Sequence, residues 1–123
     1  MKSRSKILVV DDEESIRFTF EDFLSGEGYD VTTAINYNDA LTVLDQKEFD
    51  LIIIDIILGG KTGLDLVKEI RARDLRCQVI IITAFPTAES LSDAYKKDVF
   101  DYISKPVLKD ELLRVTREAL IFK

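Results

Sequence analysis

At 123 residues, with 46% hydrophobic and 33% charged side chains, the chain has the composition of one ordinary globular domain. Its net charge of −6 argues against nucleic-acid backbones and anionic membranes as direct partners. The lone cysteine, Cys77, cannot form an internal disulfide, and the apolar runs are too short for a bilayer span or an export signal, so a reducing cytoplasm is the expected setting.

The first apolar run, KILVV (6–10), predicts a strand, and residues 14–25 place Ile16, Phe20, Phe23 and Leu24 on one helical stripe that Gly26 or Gly28 can end. DVTTA (30–34) predicts the second strand. Residues 38–47 predict the second helix, started by Asn36 or Asn38 and faced by Ala40, Leu41, Val43 and Leu44. LIIID (51–55) reads as a third strand, with Thr62 starting a helix marked by Leu64, Leu66, Val67 and Ile70. QVIIIT (78–83) is the fourth strand, and Thr87 starts a helix carrying Leu91, Ala94 and Tyr95. DYIS (101–104) and a helix with Leu112, Leu113, Val115, Ala119 and Leu120 complete the series. Five strands alternating with five helices predict an α/β fold, a parallel sheet covered on both faces, as one domain over residues 1–123.

Polar residues gather where these strands end. Asp11 and Asp12 follow the first strand, Asp55 ends the third, Thr83 ends the fourth and Lys105 follows the fifth. Ligands of open α/β sheets bind beyond the carboxyl ends of the strands, so these side chains are candidates for one site. Each has an ordinary alternative, a helix cap for the acidic pair or a turn for Lys105-Pro106, but all of these would have to coincide. The stretch Gly60-Lys61-Thr62 imitates the end of a P-loop. That motif needs glycine at position 55, where Asp55 would repel a phosphate, and the glycines instead serve a turn. A flavin or nucleotide site is similarly disfavoured by Asp11-Asp12-Glu13-Glu14 after the first strand.

Asp11-Asp12, Asp55, Gly63, Thr83-Ala84 and Lys105-Pro106, in this order and at strand ends, resemble the receiver domains of bacterial two-component response regulators. The resemblance implies a flavodoxin-like (βα)5 three-layer sandwich with strand order 2-1-3-4-5. It implies a regulatory phosphoacceptor and not an enzyme: Asp55 takes a phosphoryl group from a sensor histidine kinase or a histidine phosphotransfer protein. The absence of histidine agrees, because the donor imidazole would lie on the partner. Mg2+ (or Mn2+) would be held by Asp11, Asp12, Asp55 and the backbone carbonyl of Ile57. Phosphorylation from small acyl phosphates and slow self-dephosphorylation are further expectations.

The resemblance also makes Thr83 and Tyr102 the switch, Pro106 a candidate for a cis peptide bond, and Phe18 a partner-facing residue. The surface of the fourth helix, fifth strand and fifth helix would carry the output, and a homodimer is one use of it. The fifth helix has a broad apolar arc, Leu108, Leu112, Val115, Ala119 and Phe122 beside Leu113 and Leu120, which predicts an exposed interaction surface. Gly59 stands where the family often has proline and Asp98 where it often has glycine. A phosphatase of the haloacid-dehalogenase type is the alternative, but its second aspartate would have to occupy position 57, which is Ile57. The end of the chain, EALIFK, leaves open both a stand-alone receiver and the front of a longer regulator.

Overall fold

The computed structural model describes residues 4–73 and 75–121. Its elements run β1 (Lys6–Val10), α1 (Glu14–Ser25), β2 (Asp30–Ala34), α2 (Tyr37–Gln46), β3 (Leu51–Asp55), α3 (Gly63–Ala72), β4 (Gln78–Thr83), α4 (Ala88–Lys96), β5 (Asp101–Ser104) and α5 (Lys109–Ile121). The strands form one parallel sheet in the order β2-β1-β3-β4-β5. This is the flavodoxin-like three-layer sandwich, and every strand has the bounds of its apolar run.

Alternation along the strands divides the interior in two. Ile7, Val9, Leu51, Ile53, Ile80 and Ile82 pack with α1 and α5. Leu8, Val10, Ile52, Ile54, Val79 and Ile81 pack with α2, α3 and α4. Both faces are covered, which is why β3 and β4 are apolar almost throughout.

Helix starts follow local chemistry. Asn36, not Asn38, caps α2 by accepting the Asp39 N–H at 2.8 Å, so the helix begins at Tyr37. Thr62 with Asp65, and Thr87 with Ser90, form capping boxes at α3 and α4. After α1, the left-handed residue is Gly28, with φ +89.

The expected exposed arc on α5 is largely internal. Leu112, Leu113, Val115 and Ala119 are buried and Leu120 packs against the same core, leaving Leu108 and Ile121 exposed. Phe122 lies outside the described residues. The arc is wide because α5 meets both the sheet and α1. Within it, Thr116 is buried and, among the described residues, its hydroxyl has no hydrogen-bond partner. Thr116→Val is therefore expected to raise unfolding stability by about 1 kcal/mol. A loss of stability in thermal unfolding would show that the hydroxyl is bonded after all.

The far end of α4 is gripped by Arg71. Its guanidinium donates to the carbonyls of Lys97 (3.2 Å) and Asp98 (2.9 Å), and to those of Leu75 (3.0 Å) and Cys77 (2.9 Å) before β4. Asp98 adopts φ +62, the left-handed turn that glycine would take more readily.

Candidate functional site

Asp11, Asp12, Asp55, Thr83 and Lys105 meet at the carboxyl rim of β1, β3, β4 and β5. The strand order makes these four strands consecutive, with β1 and β3 adjacent at the reversal of direction. Asp11 is fully buried, and Asp55 and Thr83 are nearly so, whereas Asp12 is exposed. Among the described residues no hydrogen bond or ion pair is formed by the Asp12 carboxylate.

Lys105 organises the centre. Its Nζ donates to Asp55 Oδ2 at 3.0 Å and to Asp11 Oδ2 at 3.1 Å, with Glu13 Oε1 at 3.7 Å. The remaining oxygens are held by backbone: Glu13 N–H donates to Asp11 Oδ1 at 2.9 Å and Ile57 N–H to Asp55 Oδ1 at 3.2 Å. Burial pushes the Asp11 carboxyl up; the Glu13 hydrogen bond and the Lys105 ammonium oppose this, while the Asp55 charge adds to it. For Lys105, burial pulls the pKa down, but hydrogen bonds and charges from Asp55 and Asp11 outweigh it and leave the pKa raised.

The acidic group also suits a cation. Asp11, Asp12 and Asp55 each offer a carboxylate oxygen, and these atoms lie within 4.8 Å of one another. Two such charges about 4 Å apart repel by roughly 4 kcal/mol at an effective dielectric near 20, which one ammonium only partly offsets. Hard oxygen donors fit Mg2+ or Mn2+.

Around this centre, Thr83 Oγ1 accepts the Phe85 N–H at 3.0 Å, which leaves the hydroxyl proton to donate. Lys105 N–H donates to the Thr83 carbonyl at 2.7 Å, and the Lys105–Pro106 peptide bond is cis. Ile57 and Phe85, two residues past Asp55 and Thr83, are 49% and 73% exposed. The loop between β3 and α3 turns through left-handed Gly59 and Gly60, at φ +60 and +81. Proline, fixed near −65°, could not occupy position 59 in this path. The departure at Gly59 thus goes with a different loop conformation.

Tyr102 does not touch the acidic group. Its ring packs on the α4 side of the sheet, and its hydroxyl accepts the Thr87 N–H at 3.3 Å and shares a short hydrogen bond with Ser90. Phe18 is exposed on α1, in a shallow hollow with Glu13, Glu14, Ser15 and Thr19. A cleft of about 450 Å³ lies between α1 and residues 105–107, lined by Ile16, Thr19, Ala84, Lys105, Pro106 and Val107 among others.

Two contributors escaped the sequence reading. Glu13 adds the third carboxylate near Lys105, and Arg17 Nη1 donates to the Asp11 carbonyl at 2.8 Å. The acidic run 11–14 hinted at Glu13. Nothing in the pattern marked Arg17.

The sequence profile of the response regulator receiver domain matches residues 7–117. The chain belongs to the response regulator receiver domain family. The receiver is 38% identical over 117 residues to the DNA-binding transcriptional regulator NtrC of Salmonella typhimurium, covering 95% of this chain and 25% of that protein. It thus spans about a quarter of the length of the curated relatives it matches. A CheY-like receiver domain protein from Methanospirillum hungatei superimposes with a TM-score of 0.91 at 30% identity, covering 98% of this chain and 96% of that one. NtrX from Brucella abortus gives a TM-score of 0.90 at 33% identity over 98% of this chain and 27% of its own. A receiver is a regulatory phosphoacceptor switch, so the phosphatase alternative falls. Ile57 agrees, since it brings no second carboxylate. Among the described residues no helix is long and apolar enough to cross a membrane.

Proposed function

We propose that residues 1–123 act as a single cytoplasmic receiver in which Asp55 accepts a phosphoryl group from a phosphohistidine. The donor is a sensor histidine kinase or a histidine phosphotransfer protein. The reading is carried by one observation, the convergence of three carboxylates at the strand ends, two of them buried and bridged by Lys105. Asp11, Asp12 and Asp55, with the Ile57 backbone carbonyl, would hold Mg2+ or Mn2+. The bound cation would neutralise charge on the phosphoryl oxygens during transfer.

The protein's own groups do the remaining work. An Asp55 carboxylate oxygen attacks phosphorus, the P–N bond breaks, and the imidazole leaves with the electron pair and is protonated from solvent. Lys105 offers a positive charge to the arriving oxygens, and Thr83 donates its hydroxyl proton to one of them. Positioning and electrostatics, not proton abstraction, supply the rate. The same geometry would accept a phosphoryl group from a small acyl phosphate. Radiolabelled acetyl phosphate tests this: label should enter only with Mg2+ or Mn2+ and be released by alkali, as an acyl phosphate is. Entry in the presence of a chelator, or retention through alkali, would reject the proposal.

Slow self-dephosphorylation is part of the reading: Ile57 and Phe85, apolar and two residues past Asp55 and Thr83, would obstruct a water approaching in line with the phosphoryl group. Ile57→Asn with Phe85→Glu is expected to accelerate loss of the phosphoryl group by roughly 10-fold, the scale of one positioned polar group. An unchanged half-life would remove these residues from the explanation. Partner docking uses Phe18: Phe18→Ala should slow transfer from the kinase and leave transfer from acetyl phosphate intact. Equal slowing with both donors would place the effect at the site itself.

The switch would run from Thr83 to Tyr102, whose hydroxyl already engages the first turn of α4. Leu91 and Tyr95 are exposed on α4, and this face with β5 and α5 is the output surface in the proposal, open to a second copy or to an output partner.

A further inference from the structure

The carboxylates of the acidic group are not equally secured. Asp55 sits at the end of a central strand, with one oxygen on the Ile57 N–H and the other on Lys105. Asp11 is secured in the same way by Glu13 and Lys105. Asp12 is exposed and, among the described residues, its side chain has no such restraint. Its place beside the other two carboxylates depends on the backbone that carries it.

That backbone is held at one peptide unit. The carbonyl of Asp11 belongs to the planar group joining residues 11 and 12, so fixing its direction fixes where the Asp12 Cα stands. On one side, Asp11 N–H donates to the Ala34 carbonyl at 3.1 Å, which ties the preceding peptide to the end of β2. On the other, the Asp11 carbonyl accepts Arg17 Nη1 at 2.8 Å. Arg17 reaches back from α1, where its own N–H is bonded to the Glu13 carbonyl at 3.1 Å. The turn between β1 and α1 is therefore closed across its mouth by a charged donor. Glu13, the N-cap residue, makes no side-chain cap of its own.

We propose that Arg17 is a positioning residue for the cation site: by holding the Asp11–Asp12 peptide plane it presents the otherwise unrestrained Asp12 carboxylate to the ion. The inference rests on the proposed cation reading and adds a residue to it. Groups that orient metal ligands from behind commonly alter affinity by about 10- to 100-fold when removed. Arg17→Met deletes the donors, Arg17→Gln keeps a neutral donor, and Arg17→Lys keeps a charged one.

The experiment is an Mg2+ titration of the whole 123-residue chain and of each variant, followed by amide chemical shifts around Asp12 and Ile57, with thermal unfolding measured in parallel without Mg2+. Arg17→Met should raise the half-saturating Mg2+ concentration by about 10-fold. Arg17→Lys should recover most of that loss, Arg17→Gln part of it, and the order should not follow the unfolding temperatures. A half-saturation within twofold of wild type for folded Arg17→Met would overturn the proposal. So would a loss common to all three variants that tracks their unfolding temperatures, the mark of a purely structural arginine. If Arg17→Met does not fold, the Gln and Lys variants decide by the same criterion. A wild-type protein with no Mg2+ response would instead remove the cation reading, and this inference with it.

Discussion

Gly63→Ala is expected to destabilise the fold by about 3 kcal/mol and to slow phosphorylation, although it adds one methyl group to a helix start. A Cβ at position 63 would lie 2.4 Å from the carbonyl oxygen of Asp55, 3.0 Å from its carbonyl carbon and 2.8 Å from Ile54 Cγ2. Backbone cannot swing aside as a long side chain can. The first turn of α3 would have to leave the end of β3, breaking the hydrogen bond from Gly63 N–H to the Ile56 carbonyl at 2.6 Å. Asp55 would move with that strand end, which is why stability and phosphorylation should fall together. Gly59→Ala is the control. Open space surrounds that position, and the cost is only that of a left-handed alanine, about 1 kcal/mol. Equal unfolding temperatures for the two variants would refute close approach as the reason for glycine at 63.

Lys105→Met should cost about 3 kcal/mol at neutral pH, because it leaves two buried carboxylates facing one another without their ammonium. The pH dependence has a definite sign. The raised Lys105 pKa means that its stabilisation is complete below the ordinary lysine range and is lost as pH rises through the raised value. Asp11 is also raised, so its contribution is complete below the ordinary carboxylate range and falls away as pH rises through its folded value. In the variant, the deficit should therefore shrink on acidification, when the Asp11 carboxyl takes up a proton, and also on adding Mg2+ at neutral pH. Denaturant unfolding across pH would check this. A deficit that is the same at every pH would mean that Lys105 matters for packing and not for charge.

Much of this was legible because it rests on repeating chemistry. Runs such as LIII and VIII, short, rich in Ile and flanked by polar residues, located β3 and β4 to the residue, since they fit a strand buried on both faces. Thr62 and Thr87 located the starts of α3 and α4. The five polar strand-end residues were visible as a set, although their convergence needed the strand order, which came from resemblance and not from periodicity. What escaped was contact made through backbone. Arg17 on the Asp11 carbonyl and Arg71 on four carbonyls leave no pattern, because every residue has a carbonyl and only folding chooses which is reached. The breadth of α5 was misjudged for a related reason: helical spacing counts apolar positions but does not say how many neighbours will cover them. That Gly59 departs from the family's common proline is visible in the sequence, but its positive φ, which closes this path to proline, is not.

The most direct test is the intact mass of the protein after incubation with Mg2+ and acetyl phosphate, with peptide mapping of any product, for wild type and Asp55→Asn. One added phosphoryl group is expected on the wild type, dependent on Mg2+ and mapped to Asp55, with none on the variant. A phosphoryl group on another residue, or one that persists in Asp55→Asn, would contradict the account.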